Sequence, residues 1–341
     1  MARRLMAVLA ATLGLVMAAP AAAFACGGLI APGHAEVLQK ATTLAAWHAG
    51  YEHYVTGFQF AGAANSFGYI IPLPGNPTRI QKGGAWTLER LELEVSPVRD
   101  AAFASGGAVP AAAEGVDVLR RVRVDALDIT IVRGGGRDVA AWAAGNGFDL
   151  TPDTPEVLDA YSSSGAIFAL AKFDGLAAAD RGLVEGQGTV IQFTIPTPAP
   201  WVPLRILALG KAPNEAVRAD LFLLTDHRPA LPPTFTGMPG VEERYSDPAS
   251  SSLLADLESD EGMSWVPPRG MWLSAYRIDT VAAAIGYDLS IDGGSPVGLA
   301  GQRGPALPPT WPWIVAAIVG AVLAFGLVMM IPPKGMRGRP A

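Results

Sequence analysis

The feature that most restricts what this chain can become lies near its C-terminus. Trp313 to Ile331 is a run of nineteen residues without a charge, an amide or a hydroxyl. As a helix rising about 1.5 Å per residue it covers roughly 28 Å, close to the roughly 30 Å hydrocarbon core of a bilayer. Residues 311–332 are therefore expected to form one transmembrane helix, with the lipid bilayer as the chain's first partner. Trp311 and Trp313 stand at its leading edge, where indole rings favour the headgroup layer. Lys334, Arg337 and Arg339 follow Pro332 and Pro333 in a short basic tail, 333–341. Basic flanks stay cytoplasmic, so the C-terminus is expected inside and everything before Trp311 outside a single-pass cell-membrane protein.

The other end agrees with export. Arg3 and Arg4 precede an apolar run from Leu5 to Ala19, then Pro20 and the small-residue stretch Ala21-Ala22-Ala23-Phe24-Ala25. These are the three regions of a signal peptide, 1–25, with cleavage after Ala23 or after Ala25. Cys26 is the chain's one cysteine, which excludes an internal disulfide in an oxidising compartment. Its alternatives are lipidation as a second anchor, pairing with another chain, or an idle thiol.

Removing the two ends changes the charge. Five of the 25 basic residues and none of the 31 acidic ones lie there, so residues 26–310 carry 20 basic against 31 acidic side chains, a formal charge of -11. Such a surface repels polyanions, so no nucleic-acid partner is expected.

Residues 26–292 read as an exported α+β ectodomain, mostly antiparallel β, and 293–310 as a Gly/Pro-rich tether. Thr42 to Trp47, Tyr54 to Phe60 and Phe67 to Pro74 read as three antiparallel strands, and Trp86 to Leu93 as a short helix. Asp128 to Val132 alternates as a half-buried strand. Gly134-Gly135-Gly136 turns, Asp138 is placed to cap a helix from Val139 to Ala144, and Thr154-Pro155-Glu156 opens a second helix. Ala166 to Ala171 is apolar on both faces, closing a strand-helix-helix-strand unit. Strand signals resume at Thr189 to Ile195 and, after a proline-forced crossing, at Leu204 to Leu209, then at Ala219 to Thr225 and Met271 to Ile278. A short helix is expected at Ser252 to Leu257.

Several blocks together resemble a bacterial family, the domain of unknown function numbered 2330. They are Cys26-Gly27-Gly28, Phe67-x-Tyr69-Ile70-Ile71-Pro72-Leu73-Pro74, Asp128 to Val132 followed by Trp142 to Phe148, the Leu158 to Lys172 passage, Pro203 to Ile206, and Leu224 to Arg228. The resemblance implies secreted or membrane-tethered envelope proteins with no assigned chemistry. Members often carry another Cys soon after the first; Leu29-Ile30-Ala31 supplies none here.

The chemical candidates are sparse. His48 and His53 flank a hairpin turn and read as exposed turn histidines or, facing each other across it, as a two-histidine metal pair whose third ligand no spacing fixes. Asp226-His227-Arg228 ends a strand: Asp226 either orients His227 as a catalytic base or is held by Arg228 in a structural ion pair. Asp288 and Asp292 imitate the start of a calcium loop, but Leu299 stands where the closing Glu belongs. The glycine run lacks the Lys-Ser/Thr of a phosphate loop, and Asp256, Glu258, Asp260 and Glu261 read as a solvated acidic face. No Gly-x-Ser-x-Gly or His-Glu-x-x-His occurs, and no cofactor is expected. Leu307-Pro308-Pro309-Thr310 imitates a wall-sorting signal, with Trp311 where a small residue is required. Ala316, Gly320 and Ala324 form a small-residue stripe suited to helix pairing. Three readings follow: a binding or structural module of the cell envelope, an envelope hydrolase or transferase using Asp226 and His227, or an accessory subunit of a membrane complex.

Overall fold

The computed structural model describes residues 28–30, 41–57, 66–96, 117–124, 127–148, 150–161, 165–174 and 189–293. The signal peptide, Cys26, His34, most of the tether, the apolar run 311–332 and the basic tail all lie outside the described residues.

Strands dominate. A seven-stranded sheet has the order β12-β13-β11-β2-β3-β9-β5, and a five-stranded sheet the order β1-β4-β8-β7-β6. The first is built from β2 (Ala41–His48), β3 (Tyr51–Gly57), β5 (Arg79–Lys82), β9 (Val190–Pro196), β11 (Ala216–Thr225), β12 (Val241–Pro248) and β13 (Trp272–Val281). The second uses β1 (Gly28–Ile30), β4 (Ser66–Leu73), β6 (Asp117–Val124), β7 (Leu127–Arg133) and β8 (Ile167–Asp174). β10 (Trp201–Val202) and β14 (Leu289–Ser290) form a small antiparallel pair. Among the described ladders only β2 and β11 run parallel, an arrangement that a hairpin cannot produce.

The sheets pack face to face. Alternate residues Ile129 and Ile131, Ala169 and Ala171, Phe193 and Ile195, and Leu221 and Leu223 from both sheets share one core. Their opposite faces are covered too. α2 (Gly136–Gly145) and α3 (Thr154–Asp159) seal Ile70, Val132, Phe168 and Leu170 of the smaller sheet. α1 (Ala85–Val95) and α5 (Ser251–Glu258) seal Leu44, Val55, Phe222 and Leu224 of the larger one, while α4 (Pro233–Thr236) places Phe235 in the central core. Strands covered on both sides lose polar alternation, which is why Ala166 to Ala171 is apolar throughout.

The expected α+β class is corrected: the described residues are mostly β. The longest described helix, α1, has 11 residues, and among the described residues no helix is long and apolar enough to cross a membrane. Two edge strands account for part of the difference. β6 and β12 expose half or more of their residues and carry arginines or acids where a core strand has valines.

Three local readings are corrected as well. β4 does not join the β2–β3 hairpin but pairs with β1 and β8 in the other sheet. Leu204 to Leu209 is no strand: Arg205–Ala208 is a 3-10 turn. Asp138 does not cap α2, which starts at Gly136 with Gly135 as its N-cap and takes Asp138 into its first turn. Glycine is needed at 136 because a Cβ there would stand 1.9 Å from the carbonyl oxygen of Leu158.

α1 has no local cap either. Asp260, following α5, accepts from both the backbone N–H and the hydroxyl of Thr87 at 2.7 Å, supplying a cap from 173 residues away. Arg90 bonds Asp256 and Glu94, each at 2.8 Å. Two members of the acidic run thus tie α5 to α1 instead of forming only a solvated face.

Candidate functional site

The parallel pairing of β2 with β11 sets Thr225 beside Trp47 and so brings the next residues, Asp226 and His48, together. His48 Nδ1 lies 2.6 Å from Asp226 Oδ1, and the Ala49 N–H reaches the other carboxylate oxygen at 3.4 Å. Both side chains are about a third exposed, at 35% and 33%. Ala49 and Gly50, at the hairpin tip, take φ of 51° and 85°, the left-handed pair that a tight two-residue turn requires.

Asp226 therefore serves neither of its expected neighbours. His227 turns to Asp292, with Nε2 to Oδ2 at 3.1 Å. Arg228 lies over the ring of Trp272, 5.7 Å from its centroid. Adjacent residues alternate sides at a strand end, so the side chains of 226 and 227 diverge. Asp292 also accepts from the Ala230 N–H at 2.7 Å and returns its own N–H to the Ala230 carbonyl at 2.9 Å. It pins the last described stretch to the segment after β11.

Among the described residues the metal candidates are drawn apart, and the rest of the calcium-like loop after Gly293 lies outside them. His48 and His53 occupy one face of the hairpin but separate registers, Tyr51 opposing the first and Ala46 the second. His53, expected to be exposed at the turn, is instead buried and stacks on Trp265 at 3.7 Å between ring centroids, tilted 8°. Burial first, and His48 nearby second, lower its pKa to about 4. Asp288 turns inward, away from Asp292, and accepts from the Tyr161 hydroxyl and the Arg205 N–H, both at 2.9 Å. Among the described residues no three His, Cys, Asp or Glu side chains are placed to hold a metal ion. Cys26, the lipidation candidate, is outside them.

Other polar groups escaped the sequence reading. Glu52 is fully buried on β3, on the face between the sheets. One oxygen accepts from the Trp201 N–H at 3.2 Å, and the other has no hydrogen-bond partner among the described residues. Burial holds its pKa well above the usual carboxylate value, against the weaker pull of the Trp201 N–H. Tyr161, buried beside Asp288, is likewise pushed up, mainly by desolvation and then by that carboxylate. The one available signal was an acid inside the otherwise strand-like Tyr51-Glu52-His53-Tyr54.

Fold and site together define a mostly-β protein of two packed sheets with helices on both outer faces, its candidate polar residues engaged in ties between elements. The chain belongs to the family described as an uncharacterized protein conserved in bacteria (DUF2330), whose model matches residues 20–238. Among curated proteins none matches. Among solved structures, a mutated baculovirus P35 after caspase cleavage is similar with a TM-score of 0.37 and 9% identity, over 73% of this chain and 98% of that one. That likeness is too low to bear on fold or function.

Proposed function

We propose that this protein is a binding or structural module of the bacterial cell envelope, held at the membrane by residues 311–332, with the folded part outside and the basic tail within. The observation that carries the reading is the use made of Asp226. Its carboxylate holds His48 and the hairpin tip, while His227 is engaged by Asp292. The pair on which a hydrolase or transferase reading depended is separated, and each half joins two segments of the fold. The length and composition of Trp313 to Ile331 and the N-terminal signal pattern support the location. The partner expected is another membrane or envelope protein, as for an accessory subunit, and not nucleic acid.

The test is affinity capture from detergent-solubilised membranes through a tag on the tail, repeated with Asp226→Asn and His227→Ala. A defined membrane protein captured equally by all three chains supports the module. If nothing is captured, and the purified chain turns over an envelope-derived substrate in a manner abolished by either substitution, the reading is wrong.

A further inference from the structure

The two sheets end in edge strands of opposite charge. β6 carries Arg120, Arg121 and Arg123 against Asp117, and all four are exposed. β12 carries Glu242, Glu243 and Asp247, all exposed, against Arg244. Each strand has eight residues, and their formal charges are equal and opposite. Three arginines within four residues are unexpected in an exported region whose acids outnumber its bases so heavily.

The fold keeps these edges apart. β12 begins the seven-stranded order and β5 ends it, while β6 lies against the β5 side, where Arg120 donates to the Thr78 carbonyl at 2.9 Å. Six inter-strand spacings of about 4.8 Å separate β12 from β5 by roughly 29 Å. One molecule cannot bring its own two edges together. Arg121, Arg123, Glu242 and Asp247 take part in none of the ion pairs found among the described residues.

We infer that the β6 edge of one copy docks against the β12 edge of a second copy, head to tail, through side-chain charge. Both strands are bulged, between Val118 and Arg120 and between Glu243 and Tyr245. A continuous backbone ladder across the contact is therefore disfavoured, and the arginine and acid side chains carry it. Because two different patches meet, the association is heterologous and propagates into a ring or an open row. It is weak and salt-sensitive, as exposed charge pairs are.

The experiment is sedimentation equilibrium of the full chain in a non-ionic detergent, at about 50 mM and about 500 mM salt. Self-association is expected at low salt and its loss at high salt. Arg121→Glu with Arg123→Glu, and separately Glu242→Arg with Asp247→Arg, are each expected to weaken it at least about tenfold. Mixing the two charge-swapped proteins restores association, because each then offers the edge the other lacks. A wild-type chain that stays monomeric at low salt, association that survives in both variants, or a mixture that stays apart would overturn the inference. So would a basic edge whose substitution abolishes binding to anionic phosphatidylglycerol vesicles but leaves self-association unchanged, which would assign that edge to lipid.

Discussion

His48 and Asp226 are 178 residues apart in sequence and meet at 2.6 Å, fixing the tip of the β2–β3 hairpin to the end of β11. The contact follows from strand register: parallel neighbours finish side by side, and the residues just past the last paired rung face one another. Asp226→Ala is expected to cost about 1 kcal/mol, the scale of a side-chain hydrogen bond. Urea unfolding measures it, and His48→Ala with Asp226→Ala should cost little more than either change alone.

Acid should loosen the larger sheet through His53. Its folded pKa of about 4 lies below the usual 6.5, so the unfolded chain takes up the proton first as pH falls. Stability contributed by the neutral ring is complete above about pH 6.5 and is lost down to about pH 4, a change of up to about 3 kcal/mol. His53→Phe keeps a ring against Trp265 and removes the proton uptake. Unfolding curves of the variant should be flatter than wild type between those pH values.

Glu52 acts with the opposite sign. Its folded pKa is raised by burial, so the folded chain holds its proton more tightly than the unfolded one. That advantage is full below about pH 4.5 and is lost as pH rises through the folded pKa. Glu52→Gln preserves an acceptor for the Trp201 N–H and cannot ionise. It should raise stability by about 1 kcal/mol or more at pH 8 and change little at pH 4, as read from thermal melts at the two pH values.

The remote cap on α1 makes a further prediction. Asp260→Ala removes the acceptor for the Thr87 N–H and hydroxyl and should cost about 1–2 kcal/mol. Ser250→Ala, which removes the local cap of α5 at Leu253 N, should cost about 1 kcal/mol. Hydrogen exchange distinguishes them: the first change accelerates amides at the start of α1, the second those at the start of α5.

Much of the architecture was legible wherever one side chain pattern decided one element. Thr189 to Ile195 alternates in sequence and β9 forms over nearly the same residues, Pro155 opens α3, and Trp86 to Leu93 carries helical spacing within α1. Pairing was less legible, because β4 chooses β8 over the adjacent hairpin through contacts about a hundred residues distant. The edge strands β6 and β12 were hidden for another reason: exposed strands are free to carry charge. The site failed similarly. Asp226 sits next to His227 and Arg228 in the chain, yet its partner is set by the β2–β11 ladder, which leaves no local signature. Asp288 and Asp292 look like ligands of one loop until a turn sends the first to Tyr161 and the second to His227.

The proposed placement of the folded part outside the cell and the tail inside is tested most directly by protease digestion of intact spheroplasts. An epitope tag inserted after Pro268, at an exposed turn, would be read alongside one at the C-terminus. Loss of the turn epitope with the tail epitope protected until the membrane is permeabilised is the outcome expected. Digestion of the tail epitope on intact spheroplasts, with the turn epitope spared, would contradict it.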